Sequence, residues 1–156
     1  MRKETTFQLD DFLPYLLNRA AEVTSIEFQQ YYKKRYGMLR TEWRVLFHLG
    51  RYGPLTAKTI CDRADIHKTK VSRAVAALES RRFITRHTVA EDRRHAVLTL
   101  TKLGTSAFED LAAAAEEYNT KLMAECPAED IAAARRVLLH LAAKSRKPSE
   151  RASRRL

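Results

Sequence analysis

"LTAKTICDRADIHKTKVSRAVAALESRRF", residues 55–83, decides how the rest of the chain is read. Thr56 can cap a short helix that ends near Arg63 or Ala64. A brief turn follows, and a longer helix runs to about Arg81. Set Val71 at the centre of that helix's inner face and step about 100° per residue: Val75 and Leu78 then fall within about 40° of it and belong to the core. Thr69, Ser72, Arg73 and Ala76 fall on the opposite side, and Lys70 lies on the flank. The outer face therefore carries hydroxyls, small residues and long cations. The helix's one acid, Glu79, stands near its far end.

Downstream, "FITRHTV" (83–89) and "HAVLTL" (95–100) alternate as two strands. Between them lies a charged cluster, Glu91 to His95, expected at a hairpin tip. Two helices joined by a turn and followed by a hairpin make a winged helix-turn-helix. Such a unit suits duplex DNA. A helix fills the major groove, where each base pair shows a distinct pattern of donors and acceptors. A hairpin beside it overlies the adjacent minor groove, which is strongly negative where narrow and draws in arginine. A tip entering that groove needs a cation on a long stem and an acid to shape the loop. Arg94 and Asp92 are assigned those roles, with Arg93 between them. The expected DNA-binding residues are Lys68, Thr69, Lys70, Ser72, Arg73, Ala76, Asp92, Arg93 and Arg94. The helix of about 67–81 enters the major groove and the wing of about 89–95 the minor groove.

Upstream, apolar residues from Leu9 to Val23 recur at helical spacing, with Pro14 tolerable only near the first turn. The helix should start around Leu9 to Phe12 and end at Gly37. Thr41 can cap a second helix holding Trp43, Leu46, Phe47 and Leu49, broken by Gly50, Gly53 and Pro54. Residues 101–124 read as a long Ala-rich helix with Leu103, Ala107, Leu111, Ala114, Tyr118 and Leu122 on one side. Pro127 opens a last helix with Ile131, Ala134, Val137, Leu138 and Leu141 at helical spacing. From Lys144 the periodicity ends, and residues 144–156 are expected to be a mobile basic tail. The fold class is mainly α with a small β-hairpin.

The net charge of the 156 residues is +10, and its placement matters. Residues 55–95 hold 10 Lys or Arg against 5 Asp or Glu, and residues 144–156 hold 6 against 1. The intervening residues 96–143 are net acidic. Charge concentrated on the helix-turn-helix and a tail points to a polyanion. No apolar run approaches a membrane span and no apolar signal-peptide core follows the basic start, so a cytoplasmic protein is expected. Cys61 and Cys126 lack metal-type spacing, and no metal site or cofactor is expected. No glycine-rich phosphate loop, no Ser-His-Asp order and no paired carboxylates occur, and the five histidines are scattered, which argues against an enzyme.

"LRTEWRVLFHLGRYGPLTAKTICDRADIHKTKVSRAVAALESRRFITR" (39–86) and "AEDRRHAVLTLTKLG" (90–104) resemble the MarR family of winged-helix transcription regulators. The family's wing signature appears as Asp92-Arg93-Arg94 and Leu100-Thr101-Lys102-Leu103-Gly104. Its recognition-helix Ser-Arg appears as Ser72-Arg73. His67 departs from the acid common near the helix start, so either His67 or Asp65 could be the cap. The resemblance covers roughly residues 9–143. It implies one domain over 1–143, with the winged helix-turn-helix at about 41–100 and dimerisation helices at about 9–36 and 101–143.

It further implies a homodimeric repressor, bound to a pseudo-palindromic operator in double-stranded DNA. It also implies an effector cleft beside the dimer region, for which Arg19, Phe28, Trp43 and His48 are candidates. For Trp43, plain core packing is the other reading. An aromatic acid or its thioester would suit such a cleft. Two alternatives stay open: a regulator sensing oxidants through a cysteine, although none lies near the start of the first helix where some relatives carry it, and a sequence-blind nucleic-acid-binding protein.

Overall fold

The computed structural model describes residues 7–89 and 92–144, with backbone only at 89 and 92–95. The expected tail, apart from Lys144, and Ala90 and Glu91 of the expected tip lie outside the described residues. Helix α1 spans Leu13–Tyr36, after a 3-10 turn at Leu9–Asp11, and has Pro14 in its first turn. It ends at Gly37, whose φ of 63° is left-handed and whose N–H donates to the Lys33 carbonyl at 2.9 Å. Helix α2 spans Arg40–Tyr52. Its cap is not Thr41, which lies inside the helix. Leu39 takes the cap position and donates its N–H to the Glu42 carboxylate at 3.0 Å. Gly50 does not break α2 either: it lies inside the helix, and the Phe108 ring packs where a Cβ would stand.

Strand β1, Leu55–Thr56, leads into α3, Ala57–Ala64. Thr56 Oγ1 caps α3 by accepting the Thr59 N–H at 3.1 Å, as its sequence position implies. Asp65 closes α3 in the left-handed region at φ 51°, a conformation that Asp tolerates better than most residues. Helix α4 then spans Lys68–Ser80. The uncertainty over its start resolves to His67, whose Nδ1 accepts the Thr69 N–H at 3.2 Å.

Strands β2, Ile84–Val89, and β3, Asp92–Leu100, form the wing. With β1 they make an antiparallel sheet in the order β1-β3-β2, so the hairpin is one edge of a three-stranded sheet. Leu55 pairs with Leu98 and Thr85 with Thr99. The charged cluster is placed differently from the expected loop. The backbone from Asp92 to His95 already belongs to β3, because pairing continues to Val89 opposite Asp92 past an irregularity near His87. Helices α5, Lys102–Met123, and α6, Ala128–Lys144, complete the chain.

Val45, Leu46, Ile60, Val71, Val75, Leu78, Ile84, Leu98 and Leu111 fill one core between α2, α3, α4, the sheet and α5. Leu103 is not part of it: it is 52 % exposed, and Gly104 takes the inward place beside it. The outer helices are different in kind. In the single chain α6 buries no residue, and Val137, Leu138 and Leu139 are 48–61 % exposed. On α1, Leu13, Leu16, Val23 and Ile26 are likewise exposed. Among the described residues no helix is long and apolar enough to cross a membrane.

Candidate nucleic-acid interface

The outer face of α4 is built by what its inner face must do. Val71, Ala74, Val75 and Leu78 are buried against the core, which forces the residues between them outward. Lys68, Thr69, Lys70, Ser72, Arg73 and Ala76 are all exposed, as the helical spacing predicts. The helix N-terminus adds the partial positive charge of the helix dipole. Glu79, the acid on this helix, is 3.5 Å from the Arg86 guanidinium of β2, which offsets its charge and ties α4 to the wing.

The structure puts the backbone of Asp92, Arg93 and Arg94 at the start of β3, on the hairpin that flanks α4, and describes no side chain for them. At the base of the wing, Thr85 Oγ1 and Thr99 Oγ1 lie 2.9 Å apart across the strands, and His87 Nε2 is within 3.2 Å of both. Thr101 Oγ1 donates to the Arg82 carbonyl at 2.7 Å and accepts the Gly104 N–H, so the wing's exit also caps α5.

Two arginines that hold this unit together were not among the expected site residues. Arg44 of α2 donates to the Ala64 carbonyl at 2.5 Å, gripping the end of α3 just before the turn into α4. Burial, followed by the neighbouring Arg40, lowers its pKa, while Asp65 opposes them. Arg81, at the end of α4, pairs with Glu42 and donates to the Tyr36 carbonyl at 2.9 Å. Nothing in the sequence links Arg81 to Glu42, 39 residues away. Only the packing of α4 on α2 brings them together.

The four candidate effector residues do not form one group in the single chain. Phe28 and Trp43 meet edge to face at 5.4 Å, within an aromatic cluster that includes Tyr32, Phe47 and Tyr118. Trp43 is thus a packing residue, yet its Nε1–H is buried and has no acceptor among the described residues. Such a donor is rare enough to require an explanation. Arg19 instead lies over the Tyr15 ring at 5.7 Å. His48 Nδ1 donates to the Arg44 carbonyl at 2.7 Å, and its ring faces Tyr52.

Cys61 gives the cysteine alternative no support. Cys61 is half-buried, and burial, followed by Asp62, pushes its thiol above the usual pKa. That favours the unreactive protonated form. Among the described residues no three His, Cys, Asp or Glu side chains are grouped to hold a metal ion.

Comparison with known proteins agrees with this architecture. Residues 36–95 match the MarR family. The chain is 27 % identical over 95 residues to the uncharacterized HTH-type transcriptional regulator YwoH of Bacillus subtilis strain 168, covering 61 % of this chain and 69 % of that protein. It superimposes on a MarR/EmrR family regulator from Acinetobacter sp. ADP1 with a TM-score of 0.80 at 24 % identity, over 89 % of this chain and 98 % of the other. It also matches BpsR of Bordetella bronchiseptica, whose DNA binding is regulated by 6-hydroxynicotinic acid. There the TM-score is 0.79 at 20 % identity, over 88 % and 98 % of the two chains.

Proposed function

We propose that the chain is a DNA-binding transcriptional regulator, a cytoplasmic, homodimeric repressor released from its operator by a small aromatic acid; the MarR-family match over residues 36–95 and the winged-helix fold support this reading. The observation that carries the DNA-binding part is the outer face of α4. Six exposed residues, Lys68 to Ala76, present cations, hydroxyls and one methyl without an acid among them. The roles follow from chemistry. Arg73 and Ser72 reach base edges in the major groove, Thr69 and Ala76 line the approach, and Lys68 and Lys70 neutralise phosphates. Asp92, Arg93 and Arg94 form the minor-groove contact.

Arg73→Ala is expected to leave fold and dimer intact and to lower operator affinity by about 1–3 kcal/mol. Lys70→Ala should weaken binding to all sequences alike and flatten the salt dependence by roughly one unit. The measurement is DNA-binding titration at several salt concentrations, with a selected site and an unrelated duplex. Normal affinity for Arg73→Ala removes that residue from the interface.

The apolar faces of α1 and α6, left bare in one chain, support the dimer reading. Helices 9–36 and 101–143 are the dimerisation region of the single domain in this reading. Two-fold symmetry then sets two copies of α4 about 34 Å apart, one turn of the duplex, on a pseudo-palindrome.

The effector reading rests on the unpaired Trp43 Nε1–H beside Phe28, since a ligand's ring could stack there and its acceptor take the proton donor. Arg19 and His48 remain candidates only as groups that a second chain or a ligand brings closer. BpsR's response to a heteroaromatic acid is consistent with that ligand class. A panel of aromatic acids and their thioesters is expected to include one that dissociates the protein–operator complex, losing its effect in Trp43→Phe. Release by peroxide or zinc alone, with every aromatic compound silent, would falsify the effector assignment.

A further inference from the structure

Arg81 stands at the end of the recognition helix but turns away from its outer face. Its guanidinium donates to three acceptors at once: the Ala77 carbonyl of α4, the Tyr36 carbonyl at the end of α1, and the Glu42 carboxylate of α2. The Glu42 side chain is only 8 % exposed, and the same carboxylate oxygen accepts the Leu39 N–H that starts α2. Three helices thus meet on one ion pair. The end of α1 is gripped from a second side as well. Asp110 of α5 accepts from the Tyr36 hydroxyl at 2.7 Å and from Arg35 Nε at 2.8 Å.

Apolar side chains could fill this junction at least as stably, because burying an ion pair costs much of what its attraction returns. What apolar packing lacks is direction. A planar guanidinium fork accepts its partners in one geometry only. We propose that Arg81 and Glu42 are positioning residues that lock the angle of α4 against α1, and thereby fix the half-site spacing that the paired recognition helices accept.

This inference rests on the dimeric DNA-binding reading. Helix α1 carries exposed apolar residues through which that reading joins two copies, so a lock between α4 and α1 refers each recognition helix to the other. Moving half-sites by one base pair displaces and rotates one groove relative to the other, which a rigid pair of helices resists.

The test uses full-length protein and the DNA site recovered by in-vitro selection, together with versions whose half-sites are one base pair closer or further apart. Wild type is expected to prefer the selected spacing. Glu42→Gln, checked as a folded dimer by sedimentation and circular dichroism, is expected to lose about tenfold in affinity for the selected site and to lose its spacing preference. Its affinity for unrelated duplex should stay within about twofold. A uniform loss on all DNAs, or an intact spacing preference, overturns the proposal, since mere destabilisation moves all affinities together. If Glu42→Gln fails to fold, Arg81→Lys is read the same way, because an ammonium keeps the charge but not the three-way planar grip. Should wild-type protein select no site at all, the failure belongs to the DNA-binding reading instead.

Discussion

Gly104→Ala is expected to lower unfolding stability by about 3 kcal/mol, in the upper range for overpacking a filled interior. An alanine in an exposed helix usually stabilises relative to glycine, by about 1 kcal/mol. Here the sign reverses. Gly104 sits in the first turn of α5, buried against the entry to the wing. A Cβ at this position would stand 1.9 Å from the Phe83 carbonyl oxygen and 2.9 Å from its carbon. That oxygen is backbone and already accepts the Thr101 N–H at 3.0 Å, so it cannot rotate away. Either α5 lifts from the sheet or the start of β2 shifts, with Phe83 and Ile84 both buried there.

Gly50→Ala is the informative companion. The atoms nearest its Cβ would be those of the Phe108 ring, the first at 2.3 Å, and a side chain can move where a carbonyl cannot. Urea unfolding should therefore rank Gly104→Ala as clearly the less stable. Equal midpoints, or a Gly104 variant as stable as wild type, would show that the α5–wing contact yields freely.

Leu138→Glu is expected to split the proposed dimer and cut affinity for a two-half-site operator by at least about 100-fold, because the second half-site then no longer binds at high effective concentration. Leu138 is 48 % exposed on a helix that has no buried residue in the single chain. A carboxylate there costs the monomer little but cannot be buried unpaired in an interface. Sedimentation velocity should show a monomer whose circular dichroism and melting resemble the wild-type winged-helix unit. Binding to a single half-site should change far less. A dimer of undiminished affinity would remove α6 from the interface and with it the proposed domain organisation.

The local elements were legible because local rules govern them. Thr56 caps α3 and Gly37 ends α1 through bonds made within a few residues, and Val71, Val75 and Leu78 are buried as the 3.6-residue period requires. The outward set from Lys68 to Ala76 follows from the same period. Where the sequence misled, a distant partner had intervened. Gly50 resembles a helix breaker but makes room for Phe108, 58 positions further along the chain. Leu103 fits an apolar stripe, yet the approach of Phe83 gives the inward place to Gly104. The charged cluster looked like a loop because charged residues favour solvent, whereas strand pairing carries the backbone of Asp92 into β3.

The sequence by itself determined the order of the helices and of the two wing strands, the basic outward face of α4 and the resemblance to winged-helix regulators, since each is written in periodicity, caps and short motifs; the short strand β1 follows from its pairing with β3. Tertiary structure alone decided which side chains meet across the chain. It paired Arg81 with Glu42, set Arg44 on the end of α3, enclosed the Trp43 N–H without an acceptor among the described residues, and put Arg19 over Tyr15 and His48 on the Arg44 carbonyl. The physical reason is one of range. Helical and strand periods act over a few residues, while an ion pair, a carbonyl grip or a close backbone approach depends on where remote segments come to rest.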